Sequence, residues 1–220
     1  SVSDETICHV DLMATVAGAL DTAHTHKLVH GDVHPGNLLF DATGNVFLSD
    51  FSPTLVCGQR LAGTPEYMSP EQIRGEEHRI DARSDIFSLG VVFYEMLTGR
   101  RPFAGDSFAD LADAITAAEP PPPRLMDGSI PPELERVCLK MLRRRIEDRY
   151  ASARELAEDL RHIAADAAPV KAIAPPPDGP QVSRCTVLFT DFKGFTDRVR
   201  MLEQTAGPRA AAEMKRTVQA

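Results

Sequence analysis

Asp32 and Asn37 share the stretch LVHGDVHPGNLLF at 28–40, and Asp50 closes a short apolar burst, VFLS, at 46–49. Moving a phosphoryl group asks little covalent work of a protein. It needs a carboxylate to orient the attacking hydroxyl and oxygen ligands to hold Mg²⁺ against the phosphates. Asp32 supplies a carboxylate and Asn37 a neutral oxygen, and Pro35 and Gly36 make the turn between them. Asp50, followed by Phe51, supplies a second carboxylate suited to a metal. His30 reads as a structural side chain rather than as an acid or base.

These residues need elements to hold them. Ile7, Val10, Met13, Val16 and Leu20 recur at three- and four-residue steps, which predicts an amphipathic helix ending near His26. LLF at 38–40 and VFLS, separated by DATGN, predict a small hairpin between Asn37 and Asp50. The segment from Cys57 to Tyr67 reads as irregular. From Arg83 to Thr98 the chain is apolar nearly all round, which predicts a buried helix stopped by Gly99. A weaker Ala-rich helix is expected over about 107–118, before the breaker PPPP. Another follows Pro131 and Pro132, with Leu134, Val137, Cys138, Met141 and Leu142. Ser152 and Glu155 form a capping-box pattern for a helix carrying Leu156, Leu160 and Ile163. Residues 164–183 are rich in Ala and Pro and read as a semi-extended linker, after which CTVLFTDF reads as a buried strand and 207–218 as a helix.

Composition narrows the partners. The chain has 220 residues, 43% of them hydrophobic, and a net charge of −8. That fits a soluble globular protein and argues against nucleic acid or an anionic membrane as the main partner. The arginines at 143–145 read as a solvated helix end. Cys8, Cys57, Cys138 and Cys185 lie far apart, so neither a metal cluster nor a disulfide framework is expected, and the reading is a reducing, cytoplasmic compartment. No apolar run reaches the roughly 18–20 residues of a membrane span. The start lacks signal-peptide features and an initiator Met, which suggests a piece of something longer.

Five motifs in order resemble the eukaryotic-type Ser/Thr protein kinases found in bacteria. HGDVHPGN at 30–37 matches the catalytic loop, DFS at 50–52 the metal motif, and GTPEYMSPE at 63–71 the end of the activation segment. DARSDIFSLGVVFYEMLTGRRPF at 81–103 matches the central helix of the C-lobe, and Arg149 in EDRY the arginine that pairs with Glu71. The resemblance implies that Asp32 is the catalytic carboxylate and that Asn37 and Asp50 bind Mg²⁺ and ATP. It implies that Thr64 bonds Asp32 and that Asp85 anchors the loop backbone. Glu71–Arg149 is expected as a structural ion pair.

Two loop residues depart from the pattern. His34 stands where a lysine is usual, and Gly31 where an arginine is usual. HGDxHPGN loops resemble those of aminoglycoside- and choline-type kinases, and quinone-biosynthesis kinases share the His-Pro-Gly-Asn ending. In those families the histidine accompanies activity, so His34 joins Asp32 and Thr64 as a catalytic candidate. A mostly neutral imidazole gives the γ-phosphate less charge than an ammonium. Without the arginine at 31, activation by loop phosphorylation is not expected. The small-molecule kinases do not share GTPEYMSPE and the central helix, which favours a protein substrate with Ser or Thr hydroxyls.

The expected fold is mainly α: a kinase-like C-lobe with small β-hairpins over 1–165, a linker over 166–183, and a truncated α/β segment over 184–220. No Gly-rich loop or strand lysine of an N-lobe occurs here, so this chain by itself is expected to bind ATP poorly and to be inactive. CTVLFTDFKGFTDRV at 185–199 resembles the opening of a class III adenylate/guanylate cyclase domain, in which Asp191 matches the first metal-binding aspartate and which offers a route to dimerisation. Two other readings stay open: a pseudokinase scaffold regulating the cyclase-like part, which Ser52, Gly31 and His34 favour, and a parent whose main output is the cyclase.

Overall fold

The computed structural model describes residues 4–41, 45–51 and 64–167. These form a mostly helical body. Helix α1 (Asp4–Thr25) is followed by a two-stranded hairpin, β1 (Leu38–Phe40) and β2 (Val46–Leu48). Then come α2 (Pro70–Ile73), α3 (Ala82–Thr98), α4 (Phe108–Ala117), α5 (Pro132–Met141) and α6 (Ala153–Ala167). None of these helices is long and apolar enough to cross a membrane, among the described residues.

The core lies where α1, α3, α5 and α6 meet. Val10, Met13 and Leu20 of α1, Ile86, Leu89 and Phe93 of α3, Leu134 and Met141 of α5, and Leu156 and Leu160 of α6 are all buried. Helix α3 runs through the middle, and every residue from Ser84 to Tyr94 is buried. Asp81 caps its start by accepting the Arg83 N–H at 2.8 Å. Gly99, at φ 71°, ends it in the left-handed conformation that glycine adopts without a Cβ penalty. Gly90 is needed for a different reason: a Cβ there would stand 2.8 Å from the Met141 Cβ, so α5 packs directly on the α3 backbone.

Helix α1 ends in a Schellman pattern. The Leu28 N–H reaches Ala23 O at 3.0 Å and the Lys27 N–H reaches His24 O at 2.9 Å, with Lys27 at φ 59°. This turn delivers the chain into the 28–37 loop. The hairpin pairs Leu38 with Leu48, Leu39 with Phe47 and Phe40 with Val46, antiparallel.

Three expectations are corrected. Helix α6 continues to Ala167 and so takes the first two residues of the linker expected over 166–183, because Ala164, Ala165 and Ala167 favour helix. The arginines at 143–145 do not sit in a helix end, since α5 stops at Met141. Arg143 and Arg144 instead reach Glu119, at 3.9 and 2.9 Å. The Ser152 hydroxyl accepts the Glu155 N–H at 3.2 Å, but the Glu155 carboxylate receives the Ala151 N–H at 3.0 Å rather than the cap residue's own, so the box is shifted by one. The rest of the expected linker, the strand CTVLFTDF, the helix at 207–218 and Asp191 lie outside the described residues.

Candidate active site

The 28–37 loop is held from below by α3. The Asp85 carboxylate is 1% exposed. Its Oδ2 accepts the His30 N–H and its Oδ1 the Gly31 N–H, both at 2.8 Å. His24, in the last turn of α1, brings its Nε2 to the same Oδ2 at 2.8 Å, and its Nδ1 is buried without a hydrogen-bond partner. Three donors on one buried carboxylate offset the desolvation of its charge. Gly31 adopts φ 79°, and its carbonyl accepts from Gln72 Nε2 at 2.7 Å. Gln72 is oriented in turn by the Ser69 N–H, which donates to Oε1 at 2.9 Å.

His30 links the two halves of the site. It is fully buried, with its ring against Phe51 at a centroid distance of 4.5 Å. Nε2 donates to Ser49 O at 2.8 Å, and Nδ1 accepts the Asp32 N–H at 3.2 Å. Burial lowers its pKa, although the Asp85 charge pulls the other way. A neutral ring with the proton on Nε2 satisfies both contacts.

The sequence-predicted residues gather around this histidine. Asp32 Oδ1 accepts the Thr64 N–H at 3.1 Å, so Thr64 meets the carboxylate through its backbone. Asn37 Nδ2 donates to the Asp32 backbone oxygen at 2.9 Å. Ser49 then ties Asn37 to Asp50: its N–H reaches Asn37 O at 2.9 Å, and its hydroxyl reaches Asp50 Oδ2 at 3.3 Å. Asp50 has φ 55°, a conformation costing of order 1 kcal/mol for a residue with a Cβ. His34 Nε2 stands 3.7 Å from Asp32 Oδ2. Asp32, His34, Asn37, Asp50 and Thr64 thus form one connected group.

Asn37 uses its amide nitrogen on Asp32, so its oxygen is the atom it can offer a cation. Together with the Asp50 carboxylate this makes two hard oxygen donors. Among the described residues no three His, Cys, Asp or Glu side chains gather as a metal cluster. Two such donors would suit a Mg²⁺ ion that brings further oxygen ligands of its own better than an all-protein cage.

A buried ion pair fixes the far side. Arg149 bonds Glu71 through both guanidinium ends, at 2.8 and 2.9 Å, and the two side chains are 0% and 3% exposed. The Ser84 hydroxyl adds a bond to Glu71 Oε1 at 2.6 Å. Burial by itself would raise the Glu71 pKa, but the Arg149 guanidinium and Ser84 hold it below the ordinary carboxylate range. Arg149 also donates to the carbonyls of Arg83, Arg143 and Arg144. The pair pins α2 to the start of α3, and so places Gln72 on Gly31.

Beside the loop, the Tyr67 hydroxyl donates to Glu95 at 2.6 Å, and burial followed by that bond raises its pKa. Tyr67, Glu95, Leu12, Pro35, Leu38 and Val92 line an open groove of about 510 Å³.

Sequence reasoning missed His24, Ser49 and Gln72. The last had a signal: Ser69 and Gln72 form a capping-box pattern, which the structure shows satisfied at α2. His24 and Ser49 had none: the partner of His24 lies far off in the chain, and Ser49 looks like the ordinary end of a strand.

A family model described as the protein kinase domain matches residues 2–160. The chain is 36% identical over 169 residues to the serine/threonine-protein kinase PknB of Mycolicibacterium smegmatis, covering 73% of this chain and 27% of that protein. It is 33% identical over 207 residues to PknB of Mycobacterium tuberculosis, covering 90% of this chain and 30% of that protein. A probable serine/threonine-protein kinase PknB of Bifidobacterium longum is 36% identical over 170 residues, covering 73% of this chain and 24% of that protein. The chain therefore spans less than a third of the length of these relatives.

Proposed function

This chain belongs to the protein kinase domain family, and we propose that it carries the catalytic-loop half of a bacterial Ser/Thr protein kinase that uses Mg·ATP. Asp32 orients a Ser or Thr hydroxyl and takes its proton. The hydroxyl oxygen bonds the γ-phosphorus as the bond from that phosphorus to the β–γ bridging oxygen breaks, and ADP leaves with the bridging oxygen. The Thr64 N–H holds Asp32 Oδ1 in place. Asn37 and Asp50 would hold Mg²⁺, which would offset charge on the phosphates.

The observation that carries this reading is the unbroken hydrogen-bonded path from Asp32 through Asn37 and Ser49 to Asp50. It gives one carboxylate for the hydroxyl and two oxygens for a metal within a single loop and hairpin. Residues 185–199 support a finer proposal, a fused cyclase-homology segment with Asp191 as a metal ligand and a dimerisation surface. It rests on the sequence alone.

The test is Mg·ATP-dependent phosphorylation of a protein substrate by the full-length parent and its Asp32→Ala variant. The variant should lose at least about 100-fold in rate, the lower end for a lost acid–base group. Equal rates would overturn the assignment. No transfer by either would favour a non-catalytic scaffold instead.

A further inference from the structure

His34 is folded back over its own loop. Its Nδ1 accepts the Gly36 N–H at 3.1 Å and so caps the 3₁₀ turn Pro35–Asn37. In a neutral imidazole, an accepting Nδ1 puts the ring proton on Nε2. That nitrogen stands 3.7 Å from Asp32 Oδ2, the carboxylate oxygen not used by the Thr64 N–H. The Tyr67 ring flanks the imidazole at a centroid distance of 6.0 Å.

Gly36 makes this arrangement possible. A Cβ at position 36 would stand 2.8 Å from His34 Cε1 and 3.1 Å from Nδ1, closer than packed atoms tolerate. Gly36 is not among the residues at positive φ, so it is the ring, not the backbone, that excludes a side chain. The colliding atoms belong to one side chain that can swing away, so a methyl group at 36 would move the imidazole and leave the turn.

We infer that Gly36 is a positioning residue for His34: its N–H and its bare α-carbon together lock the imidazole as the Nε2–H tautomer, with that donor turned toward Asp32. A lysine at 34 has donors only and could not accept from the Gly36 N–H, so histidine and glycine work here as a pair. At 3.7 Å the Nε2–H falls short of a hydrogen bond to Asp32 and is left for a second acceptor beside it, such as a phosphoryl oxygen. This last meaning rests on the reading of Asp32 given above; the ring geometry does not.

The test is the long-range proton–nitrogen correlation spectrum of the histidine rings in the 220-residue chain. It is recorded near pH ~8.5, about two units above the ordinary histidine pKa. Comparison with His34→Gln identifies the His34 signals. The expected result is a single tautomer, with bare Nδ1 and protonated Nε2, that Gly36→Ala converts to a mixture. A wild-type ring protonated on Nδ1, or averaging between tautomers, would overturn the inference. So would a Gly36→Ala spectrum unchanged from wild type. Should the alanine variant fail to fold, the wild-type spectrum still decides. No nucleotide or substrate is present, so this result stands or fails separately from the phosphorylation assay.

Discussion

Replacing Arg149 with leucine removes both bonds to Glu71 and the donors to three backbone carbonyls. Glu71, 2% exposed, keeps only the Ser84 hydroxyl among its side-chain donors. An uncompensated buried charge of this kind costs roughly 3–5 kcal/mol. For a chain of this length that corresponds to a fall of about 6–20 °C in Tm. Thermal unfolding followed by far-UV circular dichroism, with the Glu71→Leu/Arg149→Leu double variant alongside, measures it. The double variant should recover much of the loss, because no orphan carboxylate remains. The pH dependence has opposite signs in the two proteins. In the wild type the folded-state Glu71 pKa is depressed, so its contribution is present above the unfolded value of about 4.3 and is lost as pH falls through the folded value. In Arg149→Leu, burial without the guanidinium raises it. Protonation then relieves the folded state, so the variant's deficit should shrink as pH falls from neutral toward the unfolded value of about 4.3. A loss under about 1 kcal/mol, or a double variant no better than the single, would refute the claim that this pair holds α2 against α3.

Asp85→Asn leaves one acceptor oxygen where the carboxylate served His24, His30 and Gly31. Losing a bond to a charged group weakens the loop anchor by about 1.5–3 kcal/mol, so hydrogen exchange at the His30 and Gly31 amides should quicken roughly 10- to 100-fold with the helical signal unchanged. Gly90→Ala forces a Cβ to within 2.8 Å of Met141 Cβ and should cost about 1–3 kcal/mol in urea unfolding, whereas Gly128→Ala, with open space around it, should not.

Local signals made most of the fold readable. The apolar run and Gly99 set α3, and DATGN between two apolar bursts set the hairpin. The candidate site was readable for the same reason. Asp32, His34 and Asn37 lie within one turn-rich loop, and the short hairpin brings Asp50 back to them through Ser49. The supports of the loop were harder to see. His24 meets Asp85 across 61 residues of chain, and Gln72 meets Gly31 across 41. His24 looks locally like an ordinary helical residue, and the capping pattern at Gln72 does not point to Gly31; only tertiary packing reveals either partner. The end of α6 was misjudged because alanine suits both a helix and a low-complexity tract, and proline decides only where it occurs.

The peptide between His30 and Asp32 explains the glycine at 31. Its N–H is taken by Asp85 from α3 and its carbonyl by Gln72 from α2, and between them the backbone must turn to φ 79°. A residue with a Cβ would meet that geometry at a cost of about 1–2 kcal/mol. Glycine removes that strain. Asp32 itself is held by His30 beneath it, the Thr64 N–H beside it and the Asn37 amide on its backbone oxygen. All three are bonds within the fold, and α3 holds His30 through Asp85. A loop anchored in this way takes its geometry from packing and hydrogen bonds within the fold.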